Sequence, residues 1–375
     1  MIITAGKPVT GDQLIGREKE IRLIGEYLDM GQSVVLIAPR RFGKTSLLLE
    51  MLQRKKAEGH FTLFVDFFST PDLFSLAAEI ATQVLVNKKW KWSVHQLKNQ
   101  IFELLKNIQF RQTVDQYEFI VGFGQQHPDE WELLAESIRF IEKFSQNHGK
   151  TMISGFDEFG DIEKLDGDRI IKLFRSELQR QQKSVYLFAG SYESIMNKIF
   201  TDKSSPFLRF ARIIKLGNIS AESFIPYLET NLFEANIEES GKLARNIFDF
   251  TGGHPYYTQL LAQQSLLFHG NLKPNSRRMF HLLEETLYVE KDYLERLWES
   301  ISGNRQQKTV MLALAEEKGT LYTTLDNNKI NISRTLKKLS DAGHISLNSS
   351  QPVLIDPLLR YWIRKNILKI DEAKL

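Results

Sequence analysis

The 375-residue sequence contains no cysteine. Disulfides and thiolate metal centres are excluded, and the lack fits a reducing, cytoplasmic setting. No apolar run approaches the roughly 18 residues of a membrane-spanning helix. Met1 to Asp12 lacks the charged-then-apolar order of a secretory leader, so no membrane partner is expected. Charge of one sign is scarce too: 49 Lys and Arg against 46 Asp and Glu leave +3, too little to imply a polyanionic partner by bulk attraction. Internal repeats and low-complexity tracts are missing. What is present is the composition of an ordinary globular chain, 42% hydrophobic and 25% charged, with phenylalanine abundant at 25 residues. The length suggests two or three domains.

The rest of the chain is organised around residues 33–46. Ser33 to Ile37 is a β-branched apolar run that reads as a buried parallel strand. Ala38-Pro39-Arg40-Arg41-Phe42-Gly43-Lys44-Thr45 then fits a phosphate-binding loop, and Ser46, Leu47, Leu48, Leu49 and Met51 continue into a helix. Strand, loop and helix form the context this motif requires. Gly43 lets the backbone approach phosphate oxygens. The helix start directs free N–H groups and a positive dipole end at an anion. Lys44 would reach the β- and γ-phosphates of ATP, and Thr45 would ligate Mg²⁺. Ala38 stands where the first glycine is usual, a departure of one methyl group.

A second anchor is Thr151 to Phe159, a buried strand ending in Asp157 and Glu158. Asp157 would hold Mg²⁺ opposite Thr45, and Glu158 would polarise the attacking water. The blander reading is an acidic pair that caps the next turn. Ser184 to Ala189 is another buried strand, followed by Gly190-Ser191. Ser191 could be the N-cap of a helix over 192–200; its place resembles that of the strand-tip polar residue which senses γ-phosphate in AAA-like ATPases, and the resemblance makes it a candidate for that role. Arg209 and Arg212 precede a fifth strand, Ile213 to Leu216. This placement resembles that of the arginine which reaches a neighbour's nucleotide in oligomeric AAA-like enzymes, and the resemblance implies such a role in a homo-oligomer; the alternative is ordinary surface salt bridges. Gly16-Arg17-Glu18 opens the first helix about 20 residues before the phosphate loop.

Phe61 to Phe67 reads as a strand, and residues 72–87, 128–147 and 170–181 as amphipathic helices. The stretch 88–125 is an elaboration within the nucleotide domain. It has a basic, aromatic start (Lys88 to Trp92), a helical segment Asn99 to Ile108 and a strand Tyr117 to Val121. Two helices over 221–250 precede Thr251-Gly252-Gly253-His254-Pro255-Tyr256-Tyr257, where glycines end one helix and Pro255 opens the next.

These pieces resemble, in order over about residues 14–270, the prokaryotic family known as archaeal ATPases, an AAA-like branch of the STAND NTPases. The matching strings are Gly16-Arg17-Glu18, the loop 38–45, Phe156-Asp157-Glu158-Phe159, Ala189-Gly190-Ser191 and Gly253-His254-Pro255-Tyr256-Tyr257. The resemblance implies an α/β P-loop fold with a parallel sheet of strand order 5-1-4-3-2, a helical lid and a C-terminal winged helix. Residues 1–220 would be the ATPase core, 221–300 the lid, and 301–375 the winged helix with a terminal helix. Gly16 and Arg17 would lie beside adenine, and His254 and Pro255 near the phosphates or adenine.

The tail fits that plan: a helix over 306–317, a connector Thr320 to Leu325, a recognition helix from Ile332 stopped by Gly343, a hairpin turning at 348–351, and a last helix after Asp356-Pro357. Residues 305–365 hold ten Lys and Arg against five Asp and Glu. Arg334, Lys337 and Lys338 share the recognition helix, where contacts to duplex DNA would form. The sequence thus implies a slow, Mg²⁺-dependent ATPase that works as a nucleotide-driven switch on a protein partner, with a DNA-associated ATPase as the alternative.

Overall fold

A computed structural model describes residues 3–87, 110–114, 117–121, 129–191, 193–268, 277–316, 321, 331–347 and 351–370. Its centre is a five-stranded parallel sheet of β1 (Val34–Ile37), β2 (Phe61–Asp66), β5 (Met152–Asp157), β6 (Ser184–Gly190) and β7 (Arg212–Lys215). The spatial order is β2-β5-β6-β1-β7. Numbered within this sheet alone, that is 2-3-4-1-5, the expected order read from the other edge. All four residues of β1, all six of β5 and all seven of β6 are buried. Continuous apolar runs are what strands covered on both faces need.

The covering helices lie on both faces. On one side α2 (Lys44–Ala57) packs Leu47, Leu48, Met51 and Leu52 against Val34, Leu36, Ile153 and Leu187, with Ile24 and Leu28 of α1 (Glu18–Asp29) behind. On the other, α3 (Leu73–Val86) and the helix Glu130–His148 bury Leu76, Ile80, Ile138 and Ile141 among a dense group of phenylalanines. Local chemistry sets these helix starts: the Asp72 side chain accepts from Ser75 N at 2.7 Å, and Asp129 accepts from Trp131 N at 3.0 Å. Gly155 lets α2 lie close to β5, because a Cβ there would fall 2.7 Å from Leu48 Cδ2 and 2.8 Å from Leu52 Cδ1.

Several bounds differ from expectation. The helix expected over 170–181 runs Glu163–Leu178, with non-helical backbone at Asp166 and Gly167. The glycine and the Asp before it hide a second short turn of helix upstream. β3 (Phe110–Val114) forms a strand antiparallel to the anticipated β4 (Tyr117–Val121). The Lys88 to Trp92 cluster and the helix expected over 99–108 lie outside the described residues.

A third core joins the helices Ala221–Glu234, Ser240–Thr251 and Pro255–Leu267 to two that the sequence reading did not foresee, Arg278–Val289 and Lys291–Ser302. It continues into the helices Arg305–Glu316, Ile332–Asp341 and Pro357–Trp362 and the antiparallel pair β8 (Ile345–Ser346) and β9 (Val353–Leu354). Gly343 adopts φ 75°, the left-handed stop expected for the second of these. Of the connector, only Leu321 is described, and the hairpin turn at 348–350 lies outside the described residues. Among the described residues, no helix is long and apolar enough to cross a membrane.

Candidate functional site: a cleft at the carboxyl edge of the sheet

β1 runs between β6 and β7, while the chain leaving it crosses to β2 at the far edge. Loops therefore diverge above the carboxyl end of β1, which opens a crevice there. A cleft of about 630 Å³ occupies this position. One wall is the loop 40–46 with Asp66, Asp157, Glu158, Asp161 and Ser191; the other is formed by residues 6–9 and 13–15, Ile219, Pro255, Tyr256 and Gln259.

Gly43 is the residue before α2 and takes φ 84°, a left-handed conformation that an L side chain resists. The Lys44 ammonium curls into the loop and donates to the carbonyls of Ala38 (2.9 Å) and Pro39 (2.8 Å). Pro39 itself does not line the cleft. Thr45 Oγ1 donates to Asp157 Oδ2 at 2.6 Å. Burial pushes the Asp157 carboxyl above the ordinary carboxylate range, aided by nearby Glu158 and opposed by the Thr45 hydrogen bond and Lys44. A hydroxyl and a carboxylate facing one cleft form an oxygen-only donor set, which fits a hard divalent cation.

Glu158 has a positive φ of 46°. The strain is held by Ser191, whose N–H donates to Glu158 Oε2 (3.1 Å) and whose hydroxyl donates to Oε1 (2.6 Å). Ser191 thus meets Glu158 directly, a contact that neither reading of this serine anticipated. Asp66, at the end of β2, is in register with Asp157. Its carboxyl is also pushed up, first by burial and then by Glu158 and Asp161.

The remaining expected residues distribute as follows. Arg17 is buried; its guanidinium donates to Phe42 O (3.2 Å) and Gly217 O (2.7 Å) and pairs with Glu20 (3.1 Å). It touches the cleft but chiefly braces the loop. Gly16 takes φ 65°, and a Cβ there would meet Ile219 Cγ2 at 2.5 Å. Arg40, Arg41, Phe42, Ser46 and Pro255 line the cleft. His254 does not: its ring sits 4.7 Å from the Phe42 ring and 4.8 Å from that of Tyr257, behind the loop. Arg209 and Arg212 are exposed, and Arg212 pairs in register with Val34, so both lie at the sheet's amino edge, away from this cleft. Arg334, Lys337 and Lys338 are exposed on Ile332–Asp341, also outside it.

Of the second wall, Pro255 was read from the sequence and the rest was not. Residues 6–15 form a strap tied to α2 by Val9 N to Ser46 Oγ (3.1 Å) and Gly11 N to Glu50 Oε2 (2.7 Å). Such a segment has no periodicity to announce it. Asp66 carried a usable signal, an acid ending an apolar strand just as Asp157 does.

The model of an ATPase domain found predominantly in Archaea matches residues 14–261. The chain belongs to this family. Its fold is similar to that of a Walker-type ATPase of Pyrococcus abyssi, at 17% identity and a TM-score of 0.67, over 97% of this chain and 100% of that one. It is also similar to the ORC2 protein of Aeropyrum pernix in its ADP form, at 12% identity and a TM-score of 0.51, over 99% and 97% of the two chains. No curated protein sequence matches. In this member of the family, Lys44, Thr45, Asp157 and Glu158 all line the one cleft at the carboxyl edge of the sheet.

Proposed function

We propose that the chain binds ATP with Mg²⁺ in this cleft, hydrolyses it slowly and uses the cycle to switch its lid (221–300) and C-terminal module (301–375) on a protein partner. The observation that carries this reading is the convergence of Lys44, Thr45, Asp157, Glu158 and Ser191 from three strand ends. Lys44, already held inside the loop by two carbonyls, is in place to exchange them for phosphate oxygens. Thr45 and Asp157 would hold the Mg²⁺, which when bound offsets charge on the phosphates. Glu158 accepts a proton from water, and Ser191 orients that carboxylate. Arg209 and Arg212, exposed at the sheet edge, would serve a neighbouring copy in a homo-oligomer.

Steady-state ATP turnover of the parent and of Glu158→Gln tests this. The variant is expected to lose about 10²–10⁴-fold in turnover while still binding ATP; unchanged turnover would remove Glu158 from the reaction. A second reading, a DNA-associated ATPase, is favoured by one observation. Arg334, Lys337 and Lys338 stand exposed on a helix followed by the β8–β9 pair, as in a winged helix. Turnover stimulated by duplex DNA, with the stimulation fading as salt rises, would select it; indifference to DNA selects the protein partner.

A further inference from the structure

The loop before α2 holds a cation that packs on two aromatic rings. Arg41 adopts φ 69°, a left-handed conformation uncommon for a residue with a Cβ. Its guanidinium carbon lies 4.2 Å from the centre of the Tyr256 ring and 4.6 Å from that of Tyr293. Tyr256 belongs to the helix Pro255–Leu267 and Tyr293 to Lys291–Ser302. A single loop side chain therefore clamps two helices beyond the sheet. The next side chain in the loop, Phe42, packs on His254, and His254 packs on Tyr257. Tyr257 in turn donates its hydroxyl to the Asp356 carboxylate. Asp356 accepts from Leu359 N at 2.8 Å and so caps the terminal helix Pro357–Trp362. A continuous set of contacts thus leads from the loop to the C-terminal module.

We propose that Arg41 exchanges between this aromatic clamp and a phosphate of the bound nucleotide, so that filling the loop releases Lys291–Ser302 and, through Tyr257, the terminal helix. The inference rests on the nucleotide reading of the cleft and adds how occupancy is transmitted. Arg41 and Tyr256 both line the cleft, and Tyr293 does not. The guanidinium is thus within the same space that phosphates would enter. A planar guanidinium bonds a phosphate through paired, charge-assisted hydrogen bonds, which are stronger than its attraction to a ring face. One guanidinium cannot serve both partners. The clamp therefore opposes phosphate binding, and by reciprocity phosphate opposes the clamp. The left-handed backbone at Arg41 favours a loop with two arrangements, because leaving that conformation relieves strain.

The test uses the full chain, with Tyr293→Leu, which removes one face of the clamp, and Tyr293→Phe, which keeps the ring. Tyr293 is 38% exposed, so the leucine has room. The probe is a non-hydrolysable ATP analogue with Mg²⁺. Tyr293→Leu is expected to bind it about three- to tenfold more tightly than the parent, and Tyr293→Phe to match the parent. In the parent, adding analogue should lower hydrogen-exchange protection across 291–302 and 357–362. Equal or weaker binding by Tyr293→Leu overturns the exchange, as does unchanged protection in the parent; the second readout stands even if the leucine variant folds poorly. A parent that binds no analogue overturns the cleft reading and the exchange with it. A parent that binds, beside a leucine variant that gains nothing, overturns the exchange alone.

Discussion

The two walls of the cleft are built differently. The loop wall hangs from strand ends, and its polar atoms interlock: Lys44 with Ala38 and Pro39, Thr45 with Asp157, Glu158 with Ser191, Arg17 with Phe42 and Gly217. Apart from Arg17, which precedes α1, the residues joined stand at or just beyond strand ends. The opposite wall is a strap and a helix start. The strap is pinned at one end by Ile3, 1% exposed within the third core, and along its length by bonds to Ser46 and Glu50. Apolar packing and a few hydrogen bonds hold it, which is what a segment that moves can tolerate. The difference is one of construction: polar bonds between side chains fix Thr45, Asp157, Glu158 and Ser191 on the first wall, while packing and two backbone-to-side-chain bonds hold the second.

Substitutions on each wall should therefore fail in different ways. Lys44→Ala should lower ATP turnover by about 10²–10³-fold, measured at saturating ATP, with little change in melting temperature; a matching loss of stability would mean the loop wall is structural first. Ile3→Ala should do the reverse. Removing that buried side chain should cost about 2–5 kcal/mol of stability, read by denaturant unfolding, and raise KM while leaving kcat alone. A fall in kcat instead would show that the strap acts on the chemistry.

At neutral pH the smallest effect concerns the join between the walls, because it is felt only in acid. Burial lowers the His254 imidazole to about 3, against ~6.5 in an unfolded chain. Between these values the unfolded chain binds more protons, so this residue's contribution to stability is lost as pH falls through the window, by up to about 1.4 kcal/mol per pH unit. His254 Nδ1 has no hydrogen-bond partner among the described residues. His254→Phe should keep the ring packing and flatten that acid slope in thermal unfolding. Asp157 and Asp356, whose carboxyls burial raises, act with the opposite sign but are common to both proteins and cancel in the difference. An unaltered slope would mean that the imidazole does not titrate with folding.

Much of the first wall was legible because its signals are local. Ser33 to Thr45 spells strand, loop and helix without help from the rest of the chain, and Thr151 to Glu158 ends a buried strand on acids. The sheet order came with the family resemblance. What was not legible was contact at long range. Arg17 was placed beside adenine by its motif, yet its guanidinium donates to Gly217 O, 200 positions away, and no spacing announces such a bond. Ser191 was located at its strand tip, but its two bonds to Glu158 depend on the left-handed turn at that residue. The Gly253-His254-Pro255 string marked a helix start; which way the imidazole points depends on Phe42 and Tyr257, from two other segments. The helices Arg278–Val289 and Lys291–Ser302 went unread, and with them Tyr293.

Gly155 shows how fine the first wall's tolerances are. Thr45 stands on α2 and Asp157 on β5, so the gap between their oxygens follows the separation of the two elements. That separation is allowed by a missing methyl, since a Cβ at 155 would lie within 2.8 Å of carbons on Leu48 and Leu52. A methyl there would be met by the ends of these two leucine side chains, which would have to turn aside. The bare backbone under α2 is thus a seam, a place where strand and helix are joined through the movable ends of two side chains.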